Sequence, residues 1–145
     1  LVVAKVASVL AIELGQFAVL VPVAVALGWH AGSGWPAALG AGLLGTTAFA
    51  GVGLLMAGRL RGEVNLAAAN GLYLVLLLVG GMVIPLAKLP GGLRRVARAL
   101  PSGALSDALH GALTKATSVP GRAWIVLAVW AVIAPAAAAA TFRWE

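Results

Sequence analysis

Four long apolar runs dominate the chain, over about residues 2–28, 36–58, 64–84 and 123–142, and each is nearly free of charge. A helix that crosses a bilayer needs about 20 such residues, so each run predicts a membrane span. The runs are uniform rather than alternating, which favours helices over the strands of a membrane barrel. Between the third and fourth runs the pattern changes. Residues 85–117 carry prolines at Pro85, Pro90 and Pro101, with two short amphipathic pieces between and after them. At about 100° per residue, Leu93, Val96, Ala97 and Leu100 share one face, and Arg94, Arg95 and Arg98 the other. In the second piece Leu105, Ala108, Leu109 and Ala112 line one side, opposite Asp107, His110 and Thr114. Neither piece is long or apolar enough to span. The pattern predicts an interfacial or re-entrant helical hairpin, held by four spanning helices.

Composition agrees. Hydrophobic residues make up 62% of the 145 and charged ones 10%, and mean hydropathy is +1.05. A water-soluble domain is about half apolar and a quarter charged, so the chain reads as an all-α integral membrane protein. It has no cysteine, which removes disulfides and thiolate metal sites. It opens LVVAKVAS without an initiator Met and without the plan of a signal peptide, and is read as the C-terminal part of a longer protein.

Lys5 can snorkel to headgroups, and Trp29, His30 and Trp35 mark the far end of the first span and the turn after it. Small residues recur at every fourth position of the second span: Ala37, Ala41 and Gly45, with Ala38, Gly42, Thr46 and Ala50 beside them. That spacing lets a neighbouring backbone come close. Asn65 and Asn70 fall in the first turns of the third span, and Pro135 is expected to kink the fourth. Phe142, Arg143 and Trp144 read as a terminal interface anchor. Four spans put both ends on one side. Loop cations then divide four on that side (Lys5, Arg59, Arg61, Arg143) and six on the other (Lys88, Arg94, Arg95, Arg98, Lys115, Arg122). Taken alone, that count places the hairpin in the cytoplasm.

Several residues are candidates for chemistry. Glu13 is an ionisable residue within a span, with Gln16 one turn on; it suits a proton or a cationic substrate, or a packing hydrogen bond. Arg59, Arg61 and Glu63 form a charged link that suits a soluble partner, or serves only to set topology. Arg94, Arg95 and Arg98 suit anionic lipid headgroups or a solvated helix face. With no stacking aromatic among them they are no nucleic-acid surface. Asp107, His110 and Ser106 are too few for a metal or hydrolase site. There is no Walker-type glycine-rich loop, so the chain itself holds no ATP in that mode.

At the broken hairpin the sequence resembles the permeases of ABC-2 type transporters. The likeness runs through Gly81, Pro85, Leu89 and Pro90, the amphipathic stretch 93–99, then Leu100 and Pro101. Lys5 opening a long helix and the GRLRGE link at Gly58–Glu63 fit the same order. The resemblance implies the last four spans of a six-helix permease, in a bacterial plasma membrane. It implies a partner ATPase subunit carrying ATP and Mg, and a second permease subunit, identical or paired. No cofactor would sit on this chain. The hairpin would be extracellular, against the loop-charge count. Glu13 and Gln16 would line the pathway or the dimer surface, and Arg59, Arg61 and Glu63 would touch the ATPase. The cargo would be apolar or amphipathic: a drug, lipid or glycan-like molecule. Two other readings compete: a proton-coupled small multidrug antiporter using Glu13, and a non-transporting membrane scaffold subunit.

Overall fold

The computed structural model describes residues 2–28, 34–81, 83–113 and 118–141. Within them the chain forms six α-helices: α1 (Val2–Ala26), α2 (Trp35–Ala57), α3 (Gly62–Val79), α4 (Gly91–Ala99), α5 (Pro101–Leu113) and α6 (Gly121–Thr141). A 3-10 turn, Leu86–Lys88, precedes α4. Four of the helices, α1, α2, α3 and α6, are long and apolar enough to cross a membrane. The protein is thus helical and, by the length and hydropathy of these four, a multi-pass membrane protein. Trp29, His30, Thr114, Lys115 and the anchor at Phe142, Arg143 and Trp144 lie outside the described residues.

Local chemistry sets the breaks. Pro36 lies in the first turn of α2, where its missing N–H costs no helical bond. The third apolar run was expected to stay helical to residue 84, but α3 stops at Val79. Gly80 closes the helix through its N–H to the Leu76 carbonyl at 2.7 Å, and Gly81 then turns the chain at φ +82. A side chain there would also meet Leu86 Cγ at 2.7 Å, so the turn requires glycine. The two Leu-Pro steps act alike. Leu89 (ψ 144) and Leu100 (ψ 149) are both extended, as a following proline demands, and each divides one short helical piece from the next.

The centre of the fold is α2, which packs most extensively on α6 and then on α5. The buried core is Ala41, Ala104, Ala108, Ala123 and Leu127. Of the expected small-residue lines only Ala41 and Gly45 are buried; the seam continues through Ala48 and Gly51, while Ala37, Ala38, Gly42, Thr46 and Ala50 are half-buried. At Gly51 a Cβ would lie 2.5 Å from Pro135 Cδ, so α2 and α6 meet there backbone to backbone. Helix α6 runs on through Pro135 to Thr141. A second cluster, Leu86, Leu89 and Ala97 with Val79 against it, ties the 3-10 turn to α4. In contrast, α3 buries no residue, and neither does the most apolar stretch of α1.

Candidate functional site

Glu13 is the twelfth of the 25 residues of α1. At 1.5 Å per residue it lies about 17 Å from one end of the helix and about 20 Å from the other. A carboxylate at such a position costs about 2.5–3.5 kcal/mol to insert, so its surroundings matter. It faces α2 where α2 has no side chain: a Cβ at Gly42 would lie 3.3 Å from Glu13 Oε1 and 3.5 Å from Phe17 Cζ. Glu13 Oε2 is buried and has no hydrogen-bond partner.

Beside it opens a cavity of about 650 Å³ walled by α1, α2 and α5. Phe17 and Val21 come from α1, Leu39 and Thr46 from α2, and Leu105 and Leu109 from α5. Trp35, at the start of α2, lines it as well. Gln16 is exposed and does not line this space. A smaller cavity of about 370 Å³ lies between α2 and α3. Phe49, Met56, Tyr73 and Leu76 line it, with Ser102 at its edge. Ser102 Oγ is buried without a partner, and a Cβ at Gly80 would approach Ser102 Cβ to 2.7 Å. The end of α3 thus meets the start of α5.

The short helices are tied down by polar bonds. Arg94 Nη2 donates to the Ala87 carbonyl at 2.7 Å and to the Leu89 carbonyl at 3.0 Å. Trp130 Nε1 donates to the Ala99 carbonyl at 2.9 Å. Arg98 Nε faces Asp107 Oδ2 at 3.7 Å, linking α4 to α5, although partial exposure makes this pair weak. His110 Nδ1 meets the Ser106 carbonyl at 2.8 Å within α5. Pro101 is buried, while Pro85, Pro90, Arg95 and Arg98 are exposed. At the opposite end of α2, Arg59, Arg61 and Glu63 are all exposed. Glu63 sits in the first turn of α3, where a negative charge suits the helix dipole.

Among the described residues, no three His, Cys, Asp or Glu side chains come together to hold a metal.

The sequence places Glu13 in a span but gives it no neighbour on another helix, since Gly42 meets it only through packing. It also passed over Trp130 and Ser102. Trp130 carried a signal: membrane Trp gathers near helix ends, and this one stands near the middle of α6, where its N–H needs a partner. For the arginine face on α4 the sequence offers lipid headgroups or solvent; Arg95 and Arg98 are exposed, whereas Arg94 is half-buried and bonded to backbone. Compared with known proteins, the chain matches no family model, no curated protein and no solved structure.

Proposed function

We propose that the chain is a membrane permease subunit of an ATP-driven exporter of the ABC-2 type, working with a partner ATPase that carries ATP and Mg. The observation that carries the reading is the broken pair α4–α5 between α3 and α6, seated against α2 and α6. Its turn meets α6 at Trp130, the tenth of 21 residues, through the bond to Ala99. That is about 14 Å from one end of α6, near mid-depth for a spanning helix. Backbone outside a helix is tolerated at such depth only when protein covers it. Pro101, Ser102, Gly103 and Ala104 are all buried. These facts favour a re-entrant hairpin over one lying on the surface, and a re-entrant pair before the last span is what the sequence resemblance implies.

In this reading two permease subunits, each with two further spans upstream, form a path in the plasma membrane. The exposed link with Arg59, Arg61 and Glu63 meets the ATPase, and the hairpin caps the outer end. Nucleotide drives the cycle by binding one state of the assembly more tightly than the other. The α2 seam of small residues lets helices shift without unpacking large side chains. The cargo is apolar or amphipathic, in keeping with cavities walled by aliphatic and aromatic side chains.

A second reading, a proton-coupled antiporter, draws on one observation: Glu13 stands mid-span with an unpartnered oxygen. It leaves α4 and α5 without a role.

Co-purification separates the two. The complete gene is expressed with its neighbours and the complex drawn out on this subunit. An ATPase that accompanies it, with hydrolysis dependent on this subunit, supports the exporter. A subunit that purifies alone, with proton-linked efflux abolished by Glu13→Gln, supports the antiporter. A subunit that moves no substrate under either test is a scaffold, and both transport readings fail.

A further inference from the structure

We propose that the cavity beside Glu13 is a binding seat for a lipophilic organic monocation, one per chain, with Glu13 as its counter-charge. As a cargo class this rests on the transport reading; as a binding site it stands apart from it. The cavity holds about 650 Å³, within the range of roughly 300–1,000 Å³ that suits drug-sized ligands. Its wall is apolar apart from Glu13, Thr46 and the indole of Trp35.

The charge narrows the occupant. Glu13 is the one charged side chain on this wall, and no ion pair to it forms among the described residues. A neutral apolar guest would leave that side chain without a counter-charge in an apolar space, which is unfavourable. An anion would be repelled. A small hard cation such as Mg or Ca needs about six oxygen ligands, and this wall offers a carboxylate and a hydroxyl. A bulky organic cation meets every condition. Its spread charge tolerates the bilayer, its apolar body fills the space, and Phe17 and Trp35 supply aromatic rings that cations favour. Because Leu105 and Leu109 belong to α5, the guest would touch the broken pair as well as α1 and α2. All of these lining residues belong to one chain.

The test uses the full chain, without any ATPase, in nanodiscs of neutral phosphatidylcholine. Retention of rhodamine 123, a monocation, is compared by equilibrium dialysis with that of its uncharged dihydro form, and empty discs are subtracted. The expected result is one cation per chain, with the neutral form held at least tenfold more weakly. Glu13→Gln should weaken the cation at least tenfold, and Glu13→Asp should retain most of its binding. Equal retention of both dyes, or undiminished cation binding by Glu13→Gln, overturns the proposal. Should the Gln variant fail to purify, the dye pair on the unmodified chain still decides. A chain that binds the cation yet recruits no ATPase keeps the site and loses the exporter. A chain that recruits an ATPase and ignores charge does the reverse.

Discussion

The seam of α2 with α5 and α6 and the rim formed by α1 and α3 are built from the same kinds of residue and pack in opposite ways. The seam is tight because its side chains are small. Ala41, Ala48, Ala108 and Leu127 are buried, and Leu127 is the largest side chain fully enclosed among the described residues. The rim is richer in large aliphatic groups, yet Val19, Leu20, Leu66 and Leu74 remain more than half exposed. In water that would be a defect. In lipid, apolar side chains gain nothing by leaving the surface, and helices associate through close backbone approach and polar bonds. The difference explains where space remains. The cavity beside Glu13 and the one between α2 and α3 both lie where a rim helix meets the seam.

The contrast is most sharply tested at two glycines on one helix. Gly51→Leu drives a side chain into Pro135 and should cost about 3 kcal/mol, read from unfolding in mixed micelles. Gly53→Leu meets nothing within 4 Å and should stay within about 0.5 kcal/mol of the parent. Equal effects would break the distinction between the closed seam and the open side of α2, where Gly53 borders the cavity shared with α3. Next in size, Leu127→Ala should cost about 2–3 kcal/mol by leaving a hole in the seam. On the outside of α6, Val132→Ala should be nearly silent, because that residue is 68% exposed. A smaller effect, about 1.5 kcal/mol, is expected for Arg94→Met, which strands the Ala87 and Leu89 carbonyls. Arg95→Met, one position along and exposed, is its control, and faster amide exchange in the 3-10 turn is the readout. Smallest is Trp130→Phe, about 1 kcal/mol for one lost bond to Ala99.

Much of the fold was legible because hydropathy alone marks a span. Helices α1, α2 and α6 end within two residues of the expected limits. The end of α3 was not legible. GGMVIP reads as apolar and continuous, while Gly80 and Gly81 form a turn whose positive φ a hydropathy run does not disclose. The faces of the short helices were half legible. Ala97 is buried and Leu100 half-buried, but Leu93 and Val96 on the same expected face are exposed. An amphipathic stripe in a membrane protein divides apolar from polar, and lipid and protein are both apolar. On α5 the burial is broader than the stripe, taking in Ser102, Ser106 and Gly111, because α2, α4 and α6 all pack on it. Glu13 was legible as an anomaly and Gly42 as part of a small-residue line. That one faces the other is a fact of packing, beyond the reach of either pattern.

The central claim is that α4 and α5 fold back into the bilayer, so that their turn lies at the depth of Trp130. The chain has no cysteine, which makes a single-site label straightforward. A bimane on Ala99→Cys would be quenched in turn by lipids carrying a nitroxide at the headgroup, mid-chain and chain end. Val129→Cys serves as the reference inside the span and Trp35→Cys as the reference at its edge. The account predicts that position 99 follows position 129, with deep quenchers the most effective. If position 99 instead follows position 35, quenched chiefly from the headgroup, the pair lies on the surface and the re-entrant reading is contradicted.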